Sequence, residues 1–236
     1  MKNISIALYT HSNVKDAWPM FFGELKKYMP DINVNVFCDI MDSPPFSDEH
    51  HFIQYDDPGP FYKQYCDCLK QVKTDFILTL FEDQILYGDV DDRDINRFMY
   101  FLRTSEYDFL RLVKSDVHEE ILIKDDIFLV PPKQHYFFSF QPTIWKRESM
   151  IKVLEDSKIE SIFSERSVGE HLRNLGMSGT YVYNGEQQIG RQHCESSTFP
   201  CMEVIARGKW ITKYYGKELG ELFKKYNINP SIRGET

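Results

Sequence analysis

Residues 74–84 read TDFILTLFEDQ, an apolar run that ends in two adjacent carboxylates. The nearly continuous β-forming segment 76–81 predicts a central strand that is covered by helices on both faces. In open α/β sheets, ligands bind in the crevice beyond the carboxyl ends of the strands. Glu82 and Asp83 therefore lie where such a sheet would hold a metal ion or a reacting group. The alternative is that the acidic pair only solvates the end of a strand.

The composition is that of a globular protein with an acidic surface. The chain has 236 residues, of which 42% are apolar and 15% aromatic, and its formal net charge is −8. This length predicts one domain with two lobes and a hydrophobic core that is large enough to be stable without disulfide bonds or a structural metal ion. The negative charge disfavours nucleic acid and anionic membranes as partners. A small ligand that carries phosphate remains compatible with it if a local cation or a bound metal masks the acidic field.

Targeting signals and metal-binding cysteines are not expected. No N-terminal stretch joins basic residues to a long apolar core, and no apolar run approaches the roughly 20 residues that span a bilayer. We therefore expect a cytoplasmic protein without a transmembrane segment and with reduced cysteines. A zinc site is disfavoured because its potential ligands lack paired spacing. These are Cys38, His50, His51, His193, Cys194 and Cys201.

The first half of the chain alternates strands and helices, whereas the second half begins with a hairpin. The apolar patterns predict the strands 4–10, 34–39, 52–55, 76–81 and 107–113. A capping box formed by Asn13 and Asp16 is expected to begin the first helix. Beyond Lys114, we predict a hairpin over 121–130, an extended aromatic stretch at 136–145, further helices and a late strand. The order predicts one continuous α/β domain with a Rossmann-like mixed sheet, made of the halves 1–114 and 115–236.

Segment 66–83 resembles the metal-site segment of glycosyltransferases of the GT-A fold, especially their large inverting family. In that family a helix, a turn and an apolar strand lead into an Asp-x-Asp motif. Residues 73–76 occupy the turn, and Asp83 falls on the last, metal-binding Asp of the motif. The departures are Phe81 in place of the first Asp, and Cys66 and Cys68 in place of an Asn and a Gly.

Three further stretches resemble the same superfamily and follow in the same order. Segment 140–145 and its following helix resemble the acceptor-side strand and helix, and segment 164–167 resembles the motif that supplies the catalytic base. Segment 207–210 resembles a C-terminal segment that closes over the donor in some small members. The resemblance implies that 1–114 is the nucleotide-sugar-binding half and that 115–236 is a smaller, acceptor-side lobe.

The activity implied by this resemblance is inverting, metal-assisted transfer of a sugar. The donor would be a nucleotide-diphosphate sugar, and the acceptor a glycan or another hydroxyl compound. A divalent cation, Mn²⁺ or Mg²⁺, would neutralise the leaving diphosphate. Asp83 and Glu82 would supply the oxygen ligands that such hard cations prefer. His193 is a further candidate ligand, although a lone His is more often an ordinary surface or packed residue.

The acceptor hydroxyl needs a base, and the nucleotide needs polar contacts. Glu165, with Glu170 behind it, is the candidate base, because a carboxylate at the start of a helix is suited to accept the proton. Glu165 would otherwise only offset the helix dipole. The candidates for nucleotide binding lie after the first two strands and near the C-terminus: Thr10, His11, Asn13, Asp39, Arg207 and Lys209. Caps, turns and exposed charges are the ordinary uses of such residues.

Two other functions remain open. A nucleotidyltransferase also uses a Rossmann-like sheet with acids at the strand ends, but it usually carries a Gly-rich, basic loop after the first strand. Residues 10–13, Thr-His-Ser-Asn, are not such a loop. The other alternative is a non-catalytic GT-A-like binding protein, which the absence of the first Asp permits.

Overall fold

The computed structural model describes residues 3–40, 49–114, 117–156, 165–185, 188–189, 193–194 and 198–236, with backbone only at 156, 188–189 and 193–194. Its helices are α1 (Trp18–Tyr28), α2 (Phe61–Leu69), α3 (Asp92–Thr104), α4 (Arg147–Asp156), α5 (Glu165–Asn174) and α6 (Thr212–Lys225). Its strands are β1 (Ile4–Tyr9), β2 (Val34–Cys38), β3 (His51–Gln54), β4 (Phe76–Leu80), β5 (Gln84–Leu86), β6 (Phe109–Arg111), β7 (Ile121–Lys124), β8 (Ile127–Leu129), β9 (Thr143–Lys146), β10 (Gly179–Val182), β11 (Gln188–Ile189), β12 (His193–Cys194), β13 (Cys201–Glu203), β14 (Ile205–Ala206) and β15 (Lys209–Trp210).

One nine-stranded sheet organises the fold, in the order β3-β2-β1-β4-β9-β6-β10-β8-β7. The first four strands are parallel, and β9 runs antiparallel to both of its neighbours, β4 and β6. The carboxyl ends of β1, β2, β4 and β6 therefore meet the start of β9 at one edge. This confirms the predicted α/β class with a mixed, Rossmann-like sheet flanked by helices. Because β9 comes from 115–236 and lies between two strands of 1–114, both halves share one sheet; the boundary at 114 stays a prediction.

Helices cover both faces of this sheet. Phe22 of α1, Phe98 of α3 and Leu219 of α6 pack on one face, and α2, α4 and α5 pack on the other. Successive strand residues point to opposite faces, so that Leu78 and Ile77 of β4 belong to different core clusters and are both fully buried. This explains why the apolar run of β4 is continuous. Among the described residues, every helix is too short or too polar to cross a bilayer.

The first helix begins later than the capping pattern predicts. Residues 12–14 form a single 3₁₀ turn, and α1 begins at Trp18. Pro19 explains the difference, because a proline is accepted in the first turn of a helix but clashes with the preceding turn in the interior. The cap of the 3₁₀ turn is His11, whose side chain accepts from the Asn13 backbone N–H. Asp16 instead pairs with Arg233 near the C-terminus.

Short strands after the acidic pair were not predicted. The three-residue strand β5 pairs antiparallel with β13, and β14 pairs with β15 in a tight hairpin. Strands of two or three residues carry too little alternation to be recognised in a sequence. The predicted extended stretch 136–145 is a strand only from Thr143 onwards, whereas the hairpin over 121–130 is confirmed as β7 and β8.

Candidate functional site

The acidic pair lies in a tight turn at the end of the central strand β4. The Gln84 backbone N–H donates to the Phe81 carbonyl at 3.1 Å, and the Phe81 N–H donates to Gln84 Oε1 at 3.1 Å. The Val204 N–H donates to the Asp83 carbonyl at 2.8 Å. Both acidic side chains are half-buried. The turn is therefore fixed between β4 and the β5–β13 pair, and the C-terminal region lies beside it.

The positive charge near this turn is too small to offset the burial and mutual repulsion of its carboxylates. Burial raises the pKa of Glu82, and the charge of Asp83 raises it further. Burial also raises the pKa of Asp83, and the next cause is the charge of Glu203, which β13 brings close. The Thr10 side chain lowers the pKa of Glu82 by a hydrogen bond, without offsetting the rise. Carboxylates that resist ionisation in this way bind either protons or a cation.

Arg233 is the basic residue that the fold brings to the acidic pair. Its Nε donates to Asp16 Oδ2 at 2.7 Å, and Nη2 contacts the other carboxylate oxygen. The guanidinium carbon lies 5.6 Å from the centre of the Trp210 ring, and the side chain is only 9% exposed. Its charge lowers the pKa of both acids of the pair. No sequence signal marked Arg233, because 217 positions separate it from Asp16.

The ends of β1 and β2 form the neighbouring part of the site. Thr10 is buried and accepts from Trp18 Nε1 at 2.8 Å. The Ser12 N–H and hydroxyl each donate to Asp39 at 2.6 Å. Burial alone would raise the pKa of Asp39, but the Ser12 hydrogen bonds outweigh it, and the pKa is lowered. Asp39 is therefore an ionised acceptor at neutral pH.

His11 joins Asp39 and Asp57 into a compact group. His11 Nε2 lies 3.3 Å from an Asp57 oxygen and 3.6 Å from an Asp39 oxygen, and within the described chain these three residues are close enough to share a metal ion. However, Nδ1 accepts from the Asn13 N–H at 3.1 Å. A neutral imidazole that accepts at Nδ1 carries its proton on Nε2, so Nε2 is a donor to the acids. The group is a hydrogen-bonded set, and a cation would first have to break the Asn13 bond.

The remaining nucleotide candidates are exposed. Asn13 lies in the 3₁₀ turn, and Arg207 and Lys209 lie on the β14–β15 hairpin, which begins directly after Val204. Asp57 was not predicted. It lies three residues beyond the end of β3, whereas Asp39 directly follows β2, and a place shortly after a strand is the signal that could have identified it.

Glu165 is connected to the acidic turn through Phe140. Glu165 is half-buried at the start of α5 and accepts from the Phe140 N–H at 2.7 Å. The Phe140 carbonyl accepts from Gln84 Nε2 at 3.0 Å. Two side chains and one backbone residue therefore link the predicted base to the predicted metal-binding turn. Glu170 is exposed on α5. The backbone of His193 lies in β12, but its side chain is outside the described residues, and its role stays a prediction.

Aromatic rings line the same edge of the sheet. The Phe81 and Phe140 rings are 5.3 Å apart and nearly perpendicular, and the Phe61 ring lies 5.6 Å from that of Phe140. Tyr9 stacks on Tyr55 at 5.0 Å and lies 6.4 Å from Phe81. Phe81, at the position of the first Asp of the motif, is thus a packed core ring.

Comparisons with known proteins identify the fold. No protein-family model matches the sequence, and no curated protein matches it. A cytidylyltransferase from Leptospira borgpetersenii serovar Hardjo-bovis is 14% identical with a TM-score of 0.51, over 99% of this chain and 97% of that chain. CMP:2-keto-3-deoxy-manno-octonic acid synthetase, complexed with CTP, is 11% identical with a TM-score of 0.50, over 76% of this chain and 89% of that chain.

A third solved structure, that of TarS, has a lower TM-score. Residues 1–349 of TarS from S. aureus are 15% identical with a TM-score of 0.45, and the match covers 76% of this chain but only 60% of that chain. At these identities the likeness is one of fold alone. The chain therefore shares the α/β fold of that cytidylyltransferase and that synthetase.

Proposed function

We propose that this chain is a glycosyltransferase that moves a sugar from a nucleotide-diphosphate sugar to a hydroxyl acceptor, with inversion. The observation that carries the proposal is the fixed turn at Glu82 and Asp83, which gathers uncompensated negative charge beside Arg233 and connects through Gln84 and Phe140 to Glu165. The proposed cation-binding group and the proposed base, which come from different halves of the chain, would thereby border one edge of the sheet.

The donor set at this turn fits a hard divalent cation. Two adjacent carboxylates with raised pKa values offer oxygen ligands, and Mg²⁺-type sites use one or two carboxylates with substrate phosphates completing the shell. Glu82 and Asp83 would hold the ion. When bound, it would stabilise the charge that develops on the leaving diphosphate. His193 is a proposed additional ligand.

The chain's own residues would handle the proton and the leaving group. Glu165 would accept the proton of the acceptor hydroxyl as its oxygen forms the new bond to the anomeric carbon. The bond from that carbon to the phosphate oxygen breaks, and its electron pair stays on the diphosphate. Arg233, whose charge lowers the pKa of both acids, would share the diphosphate charge. Asp39 would accept from an N–H of the base, and the exposed Arg207 and Lys209 would contact the phosphates.

A nucleotidyltransferase is the second candidate, because the cytidylyltransferase likeness extends over 99% of the chain. The turn after β1 argues against it. Residues 12–14 form a 3₁₀ turn that holds Asp39 through Ser12 and contains no glycine, whereas a phosphate-binding loop needs close backbone approach to the ligand.

The products distinguish the two activities. Purified protein is incubated with Mn²⁺ and either nucleotide-diphosphate sugars or nucleoside triphosphates, and released nucleoside diphosphate or pyrophosphate is measured. We expect slow release of nucleoside diphosphate from a sugar donor, loss of that release in Asp83→Asn, and no loss in the exposed control Glu218→Gln. Pyrophosphate release from a triphosphate would instead establish the second candidate.

A binding protein without activity is tested by thermal stability. A donor at one hundred times its dissociation constant adds about 2.7 kcal/mol to the unfolding free energy. If the donor gives that stabilisation in wild type but no product with any of a panel of acceptors, then the chain is a non-catalytic binder and the proposed activity is wrong.

A further inference from the structure

The two outermost strands of the nine-stranded sheet, β3 and β7, differ in character. The outer strand β3 exposes the polar residues His51 and Gln54. At the other edge, all four residues of β7 are exposed, and the first three are apolar: Ile121 at 43%, Leu122 at 59% and Ile123 at 36%. An open strand edge with apolar side chains is a template for pairing with another strand, and proteins normally protect it with charges or a covering segment.

Among the described residues, β7 is only partly protected against pairing with another strand. A bulge interrupts its pairing with β8 between Leu122 and Lys124, and bulges generally discourage further pairing. Here, however, the extra residue is the exposed, apolar Ile123. The one charged residue of the strand, Lys124, lies at its end, where the chain turns back at Asp125, whose φ is 53°. Three consecutive exposed apolar residues therefore remain without a charge among them.

We infer that two copies of this chain pair antiparallel through β7. When the two strands are centred on a twofold axis at Leu122, each Leu122 faces its partner, and Ile121 faces the partner's Ile123. The same register places Glu120 opposite the partner's Lys124. The strand is thus self-complementary in both apolar character and charge, as a twofold interface requires.

Neighbouring registers lose this match. A shift by one residue in one direction places Lys124 opposite the partner's Ile121 and Glu120 opposite the partner's Asp125. A shift in the other direction keeps a charge pair, because Glu119 then lies opposite the partner's Lys124, but it places Glu120 opposite the partner's Ile123. Glu120 already contacts Lys114 in its own chain, and at 46% exposed it has room for a second cation. The register centred on Leu122 is therefore the one of these three in which every charged residue of 120–124 meets an opposite charge and every apolar residue meets an apolar one.

Nearby surface can extend the contact beyond one strand. Tyr136 is 38% exposed, and a groove bordered by Ile121, Pro131 and Pro132 lies beside the edge. Pairing of so short a strand gives an interface at the small end of the range for specific complexes. We therefore expect a reversible dimer whose population rises with protein concentration.

Sedimentation velocity of the full chain over a concentration series tests the inference. We expect a monomer–dimer equilibrium in wild type and a monomer in Leu122→Asp, which places two like charges at the twofold axis. Glu120→Lys and Lys124→Glu should each raise the dimer dissociation constant about tenfold or more. The double variant should restore wild-type dimerisation.

The rescue is specific to an intermolecular contact. Residues four apart on an extended strand are roughly 13 Å apart, so Glu120 and Lys124 cannot pair within one chain. Lys152→Glu, an exposed reversal on α4, is the control for net charge, and circular dichroism with thermal melting checks that each variant folds. A monomer at every concentration, a dimer that both single reversals leave intact, or a double variant as weak as the single ones would each overturn the inference.

Discussion

Asp83→Asn is expected to stabilise the free protein while it removes the response to metal. Burial and the Glu203 charge raise the pKa of Asp83 in the folded state, so that the folded protein holds a proton that the unfolded chain has released. The sign follows from linkage: a raised carboxyl pKa stabilises the fold at low pH, and this stabilisation is lost as pH rises through the folded-state value.

The magnitude follows from the number of protons. One extra proton in the folded state lowers the unfolding free energy by about 1.4 kcal/mol for each pH unit above the ordinary carboxyl pKa of about 4. The asparagine removes this dependence. Between about pH 5 and about pH 7, the stability of wild type should therefore fall relative to the variant by up to roughly 3 kcal/mol.

Urea unfolding at several pH values, with and without Mn²⁺, measures this difference. We expect Mn²⁺ to stabilise wild type increasingly as pH rises, since the metal replaces the proton, and to leave Asp83→Asn unchanged. The Glu218→Gln control should follow wild type throughout. Parallel stability curves for wild type and Asp83→Asn would refute the electrostatic account of the turn, and equal Mn²⁺ stabilisation of both would remove Asp83 from the metal site.

Four further outcomes are expected. Glu165→Gln should lower kcat by about 10²- to 10⁴-fold with donor affinity retained, whereas the exposed Glu170→Gln should change kcat little; steady-state kinetics and donor titration decide this. Arg233→Met should weaken donor binding by about 1.5 to 3 kcal/mol in calorimetry, and unchanged affinity would exclude a phosphate contact. Phe81→Asp should lower the unfolding free energy by about 3 kcal/mol or more, because a carboxylate would replace a packed ring. A stable variant with improved Mn²⁺ binding would contradict the role of Phe81 as a packed ring. His11→Ala should leave Mn²⁺ stabilisation intact, because Nε2 carries a proton, and its loss would place the cation at the His11 group instead.

Much of the fold follows from local patterns. The continuous apolar run of β4 predicts a strand buried on both faces, and Leu78 and Ile77 indeed belong to opposite core clusters. Predictions failed where a local signal competed with another. The capping pattern at Asn13 was outweighed by Pro19, which confines the start of α1 to its own first turn.

The candidate site was only partly accessible to sequence reasoning. Glu82, Asp83 and Asp39 follow strands, and the parallel sheet brings such positions to one edge. Asp57 could have been found by the same rule. Arg233 could not, because neither its neighbours in the sequence nor any motif distinguishes it from other basic residues in the tail. The function of each of these residues remains a proposal.

The sequence by itself determined the helices, most strands of the nine-stranded sheet and the acids at the strand ends, because periodicity and strand termini are local properties of the chain. The tertiary structure alone decided which charges meet. It brought Arg233 to Asp16 and the acidic turn, Glu203 to Asp83, and Phe140 between Gln84 and Glu165. Electrostatic energy depends on distance in space and on burial, and neither is encoded by the separation of two residues along the chain.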